Sequence, residues 1–282
     1  MFDICYVGHF TKDIIVNPQG STINLGGAFY YGCYVVTPME LRAAVVTRLA
    51  QEDWAVVDEL RALGVTMFAR ATRESTNLRI VYPTANLDER TIYAIGFAGA
   101  FTPDEVAPIR ARTFHIGASI RGEVPLDVID ALAAKGARVS LDAQGFIRVN
   151  RDDKLTYAVW EEMPRALRSI NVLKVDGAEA GFLTGKKDVR DAARVLASYG
   201  VQEIVLTHND GVLVLADGEF HEQPWRAREI KGRTGRGDTC ISAYLGKRLT
   251  ASPEEATRFA AALTSLKLET PGPFRGAVPV EY

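Results

Sequence analysis

The constraint that leaves this chain the fewest options is the order of its apolar segments, in which short strand-like runs and longer helical ones take turns. Runs at residues 4–8, 43–47, 113–116, 137–141, 172–175, 203–207 and 212–216 are short and mostly apolar, and read as buried strands. Between or after them lie segments of helical period at 51–63, 126–135, 189–198, 240–249 and 253–268. Strands that are apolar on both faces and separated by helices belong to parallel sheets covered on both sides. The expected fold is therefore an α/β three-layer α/β/α sandwich with a mostly parallel central sheet. Ligands of such sheets sit beyond the carboxyl ends of the strands, which directs attention to the loops that follow them.

Two stretches break the alternation. Residues 13–25 are β-branched and turn-rich and run into Gly26-Gly27. Between 76 and 95, the runs 78–82 and 90–94 flank a polar Asn86-Leu87-Asp88-Glu89 turn, a hairpin pattern with no crossover helix after it. These strands are expected to form a small lid on a single domain spanning residues 1–282; an ordinary antiparallel edge of the main sheet is the alternative.

Composition narrows the function. The 282 residues carry a net charge of −2, with 47% hydrophobic and 24% charged residues. That balance lacks the basic footprint of a nucleic-acid binder and the polybasic cluster of a membrane-surface protein. No apolar stretch is long enough to span a bilayer. Cys5, Cys33 and Cys240 are far apart and form no C-x-x-C pair, and His9, His115, His208 and His221 show no metal-ligand spacing. The first residues read as a strand, without the pattern of a secretory signal, so the cytoplasm is the expected location. The sequence leaves oligomeric state open, a homodimer included.

The most informative segment is Gly232-Arg233-Thr234-Gly235-Arg236-Gly237-Asp238-Thr239-Cys240, a glycine-rich turn expected to run into a helix over 239–249. Glycines let successive N–H groups converge on one anion, and a helix N-terminus adds unsatisfied donors. A carboxylate at Asp238 would stand beside that anion. Asp and Thr are equally common as helix caps, and this segment alone does not separate the two readings.

Five motifs in order resemble the ribokinase-like (PfkB) carbohydrate kinases, over nearly the whole chain. The segment 232–238 is similar to the family's D-T-x-G-A-G-D. Gly8-His9-Phe10-Thr11-Lys12-Asp13 looks like its first strand and substrate-binding aspartate, and Gly26-Gly27 like its double glycine. Asp176-Gly177-Ala178-Glu179 resembles N-x-x-E, and Thr207-His208-Asn209-Asp210-Gly211 resembles the T-x-G-x-x-G nucleotide loop. The resemblance implies an ATP-dependent phosphotransferase with Asp238 as base and the backbone of Gly235, Arg236 and Gly237 as anion hole. Asp13, Gly26 and Gly27 would bind substrate, while Thr207, Asn209, Gly211, Arg233 and Thr234 would meet the nucleotide. Asp176 and Glu179 would hold Mg2+ largely through water.

The departures are specific. Gly232 and Arg233 replace an Asp-Thr pair that in relatives helps hold a monovalent cation, Arg236 replaces Ala, and Tyr31 stands where sugar kinases often have Asn. Runs at 142–148, 174–176, 233–240 and 271–275 look closest to the myo-inositol kinase branch. A small sugar or cyclic polyol, with myo-inositol foremost, is thus the implied substrate, and Gln144, Arg148 and Glu123 are further polar groups expected to face it. A nucleoside or another sugar is the alternative within the family. A dinucleotide oxidoreductase is disfavoured because Gly8 is the one glycine after the first strand, and neither Gly185-Lys186 nor Gly246-Lys247 completes a Walker phosphate loop. A non-catalytic polyol-binding protein is the rival from another class.

Overall fold

The computed structural model describes residues 1–84 and 90–279; the expected turn at 86–89 lies outside them. The strands are β1 (Phe2–Val7), β2 (Thr11–Asn17), β3 (Gly20–Gly26), β4 (Ala43–Ala50), β5 (Thr66–Thr72), β6 (Thr76–Val81), β7 (Thr91–Gly96) and β8 (Ala111–Ile116). They continue with β9 (Arg138–Asp142), β10 (Arg148–Arg151), β11 (Lys154–Tyr157), β12 (Val172–Asp176), β13 (Glu203–Thr207), β14 (Gly211–Ala216) and β15 (Glu219–Pro224).

Among the described residues they form a nine-stranded sheet in the order β15-β14-β13-β12-β9-β8-β1-β4-β5 and a six-stranded one in the order β10-β11-β7-β6-β2-β3. The large sheet is parallel from β5 to β13, with β14 and then the edge strand β15 added antiparallel. Side chains of β1 alternate between its two faces, as the pleat demands. Ile4 and Tyr6 pack with α1 (Ala28–Val36) and α2 (Ala55–Ala62), and with two helices near the C-terminus. Cys5 and Val7 face the opposite core, built on α3 (Pro103–Val106), α4 (Leu126–Ala133), α5 (Gln144–Ile147), α6 (Met163–Leu167), α7 (Gly177–Thr184) and α8 (Val189–Ala197). The two C-terminal helices are α9 (Arg236–Lys247) and α10 (Pro253–Leu268). Ser252 caps α10 in a reciprocal box with Glu255, and Pro253 occupies its first turn, the arrangement that starts a helix sharply.

The second sheet collects the two irregular stretches. β2 and β3 form a hairpin, and β6 pairs parallel with β2 and antiparallel with β7. β10 and β11 extend it through a pairing of Lys154 with Tyr93, a contribution the sequence pattern did not suggest. Its own core is small, Leu78, Ile80 and Ala94 against Ile120, so it leans on the body of the protein through one apolar layer.

Helix α9 begins three residues earlier than the sequence suggested. Gly235 stands at its N-cap with φ +76° and ψ 10°, a left-handed turn that glycine adopts without penalty. The chain is therefore helical from Arg236, and Asp238 falls inside the first turn rather than ahead of it.

Candidate active site

A cavity of about 1250 Å³ lies between the small sheet and the carboxyl ends of the large one. Its wall includes Asp13, Gly26 and Gly27 from the β2–α1 region, Gln144 and Arg148 around α5, and Asp176 at the end of β12. Thr207, Asn209 and the segment from Gly232 to Asp238 complete the opposite side. Residues spread over 225 positions of sequence thus meet at one place, as open parallel sheets require of their ligand sites.

The head of α9 carries the arrangement. Its first turn leaves the N–H groups of Gly237 and Asp238 without helical acceptors. No side-chain cap bond forms there, so Asp238 is not the cap that its residue type allows. Burial pushes the Asp238 carboxyl up to about 6; Asp142 adds to the rise, while Lys174, Arg148 and Lys267 oppose it. The packing behind the loop accounts for its glycines. A Cβ on Gly235 would overlap the ring of buried Tyr31, and one on Gly237 would press on the Lys174 side chain. Tyr31 is therefore a support for the loop.

Across the cavity, Asp13 is buried and its Oδ1 has no hydrogen-bond partner. Burial raises its carboxyl to about 6 as well. A buried acceptor left unpaired is costly, and a ligand hydroxyl reaching it would remove that cost. Gly26 lies close against this group, where a Cβ would touch Thr11 Oγ1 at 2.6 Å. Gly27, with φ +97°, starts α1. Arg148 is buried, lines the same wall and lies 3.8 Å from Glu179 Oε1.

Three sequence expectations change. Glu123 does not face the cavity: it is fully buried and accepts from the backbone N–H of His9 (2.6 Å) and of Ser119 (2.8 Å), so its place is structural. Gly211 does not line the cavity either; it opens β14 at a point where a Cβ would collide with the Gln223 carbonyl of β15. Glu179 lies behind the wall, fully buried, closing a capping box with Asp176: its Oε2 accepts from Asp176 N and Asp176 Oδ1 accepts from Glu179 N, each at 2.8 Å.

Two charged groups in the runs 142–148 and 174–176 were given no role by the sequence. Lys174 and Asp142 are register partners on β12 and β9, both buried, with Nζ 3.0 Å from Oδ2. Glu179 Oε2 is 4.0 Å from the same ammonium. A lysine inside Val172-Leu173-Lys174-Val175 and an aspartate ending Val139-Ser140-Leu141-Asp142 were the available signals, since charge inside a buried strand needs a partner.

Part of the cavity wall is cationic. Arg236 reaches over the Trp225 ring at 5.9 Å from its centroid, and Arg233, Lys231 and Lys174 line the same end with Ile230 and Pro271. Among the described residues no cluster of three carboxylate, His or Cys side chains could chelate a metal. A hard divalent ion held by phosphate oxygens and water would fit what is present, with Asp176 one of the carboxylates lining the cavity.

The model of the pfkB family of carbohydrate kinases matches residues 41–279. A cytidine kinase of Thermococcus kodakarensis is 26% identical over 272 residues, which is 92% of this chain and 93% of that protein. A pyrophosphate-dependent kinase in the ribokinase family, solved with a pyrophosphate analog and myo-inositol, is similar at a TM-score of 0.90 and 36% identity, covering 96% of this chain and 97% of that one. A structure concerning conversion of a pyrophosphate-dependent myo-inositol-1 kinase into a myo-inositol-3 kinase is also similar. It has a TM-score of 0.89 and 36% identity, over 96% and 95% of the two chains.

Proposed function

The chain belongs to the pfkB family of carbohydrate kinases, and from that premise we propose that it transfers a phosphoryl group from pyrophosphate to a hydroxyl of myo-inositol or a close cyclic polyol. The observation that carries the reading is the pairing of Asp238, at the glycine-headed start of α9, with Asp13 and its unpartnered oxygen in one cavity. Asp13, Gln144 and Arg148 bind the acceptor, whose hydroxyls on every carbon need polar partners. Asp238 takes the proton of the attacking hydroxyl as its oxygen bonds to the terminal phosphorus. The bridging P–O bond breaks, and orthophosphate leaves. The N–H groups at the head of α9 and the guanidinium groups of Arg233 and Arg236 meet the phosphate oxygens. Magnesium, when bound with the donor, supplies neutralisation of phosphate charge, with Asp176 the group that meets its water shell.

Pyrophosphate is preferred over ATP for a physical reason. The donor end is rich in cations, with Ile230 and Pro271 as its apolar lining, whereas a nucleotide base wants a flat apolar slot. The pyrophosphate dependence stated for two similar kinases supports the same donor. ATP, implied by the general resemblance, is the donor to test against it. The similarity to a cytidine kinase makes nucleosides the second acceptor class.

The experiment is a matrix of donors (pyrophosphate, ATP) against acceptors (inositol isomers, ribose, fructose, cytidine, adenosine), read by phosphorus NMR and kcat/KM. Myo-inositol with pyrophosphate is expected to exceed every nucleoside by about 10²-fold or more, since a site built for hydroxyl contacts rejects ligands lacking them. Cytidine as best acceptor, or turnover with ATP alone, would overturn the assignment.

The six-stranded sheet is proposed as a lid. Amide exchange in 11–26 and 76–81 should slow together at saturating myo-inositol, because closure over a bound ligand excludes water. Exchange unaltered by a ligand that is shown to bind would make this sheet a fixed wall instead.

A further inference from the structure

Lys267 sits in the last turn of α10, where lysines commonly reach solvent or the helix's own terminal carbonyls. Here its side chain is fully buried. Its ammonium donates to the backbone carbonyls of Gly232 and Thr234, each at 2.6 Å. The face of the Tyr31 ring lies 5.8 Å from Nζ. Among the described residues no carboxylate lies within ion-pair distance of it. A charge without a counter-ion is expensive to bury, and burial lowers this ammonium to about 8, against the pull of Asp238. The loop is tied to the same helix end a second time, through Lys231 N–H and Gly232 N–H on the Leu268 carbonyl at 2.8 and 3.1 Å.

The two carbonyls have a geometric consequence. In a trans peptide the C=O and the N–H point opposite ways, and no cis bond occurs among the described residues. Drawing the carbonyls of Gly232 and Thr234 onto Lys267 directs the N–H groups of Arg233 and Gly235 away from α10.

We propose that Lys267 is a positioning residue for phosphoryl transfer, a built-in monovalent cation that turns the peptides of residues 232–235 so that their N–H groups meet the donor phosphate. The inference rests on the reading of the α9 head as the phosphoryl site. Its chemical consequence is that the enzyme needs no free potassium or sodium, because an ammonium already occupies the carbonyl seat such an ion would take.

The test compares wild type with Lys267→Ala and Lys267→Met, starting in buffers whose only monovalent cation is tetramethylammonium and then titrating in potassium or ammonium. Wild-type kcat should stay within twofold throughout. Lys267→Ala should lose about 10²-fold in kcat, the scale of one misplaced transition-state donor, with the acceptor KM little changed. Ammonium or potassium should restore it at least tenfold, and saturably. Lys267→Met, which fills the space without charge, should lose as much and gain nothing from either ion.

Several-fold activation of wild type by potassium or ammonium would overturn the proposal. So would near-normal kcat in Lys267→Ala, or a loss there that no cation repairs. If neither variant folds, the wild-type titration decides alone. If wild type phosphorylates no acceptor, the kinase reading has failed separately. Calorimetric binding of pyrophosphate then answers for Lys267: weaker binding in Lys267→Ala that ammonium restores supports it, and equal binding refutes it.

Discussion

Asp238→Asn lowers kcat by about 10²–10⁴-fold, the usual contribution of a general base, while the acceptor and donor still bind. The substitution keeps shape and removes the only property the mechanism uses. A pH profile adds a second expectation. With Asp238 and Asp13 both raised to about 6, the wild-type kcat/KM should fall below pH 6 as the base gains a proton. Stability runs the other way. A carboxyl whose folded pKa lies above its unfolded value favours the fold most below about 4 and loses that contribution as pH rises through 6. Asp238→Asn, neutral at every pH, should therefore melt higher than wild type at pH 8 and show no such advantage at pH 4. A variant with near-normal kcat would remove Asp238 from the mechanism.

Lys174→Met is expected to injure both fold and activity. The ammonium stands between Asp142 at 3.0 Å and Glu179 at 4.0 Å, and removing one member of a buried charge group costs about 3–5 kcal/mol because the others stay behind uncompensated. Turnover should fall by about 10²-fold or more, since the backbone of Gly237 rests on the same side chain. The pH dependence identifies the cause. Burial already raises the Glu179 carboxyl to about 7 and the ammonium opposes that rise, so without the cation it climbs further, and the deficit should be greatest at pH 8 and shrink toward pH 5 as Glu179 takes up a proton. Thermal melts over that range measure it, and Asp142→Asn added to the variant should recover part of the loss. A deficit under about 1 kcal/mol that does not change with pH would show that the pair contributes little.

The features legible in the sequence share one property: they are local. The span of α10, the hairpin strands flanking 85–89 and the glycines ahead of α9 are each written in a few consecutive residues, so period and residue type suffice. What stayed hidden depends on register between distant segments. Lys174 meets Asp142 because β12 lies beside β9, and no spacing within either strand states that. Lys267 reads as an ordinary basic residue in a helix's last turn, and its burial follows from the loop 35 residues earlier that folds over it. Glu123 erred in the opposite direction. A free-looking carboxylate near a cavity proved to be occupied by two backbone amides.

Helices α9 and α10 cover the face of the large sheet that carries Ile4, Tyr6, Val45, Val205 and Val214. Translation makes those strands first and this cover last. At about 5–20 residues per second, the ribosome carries a chain whose sheet face is covered by α1 and α2 alone for seconds before residues 236–268 emerge. The same final segment brings Asp238 and Lys267, so sealing the core and completing the catalytic wall are one event in the life of the molecule. A nascent chain released early would lack both, and would meet the cell as a client of chaperones and proteases instead of as a weak enzyme.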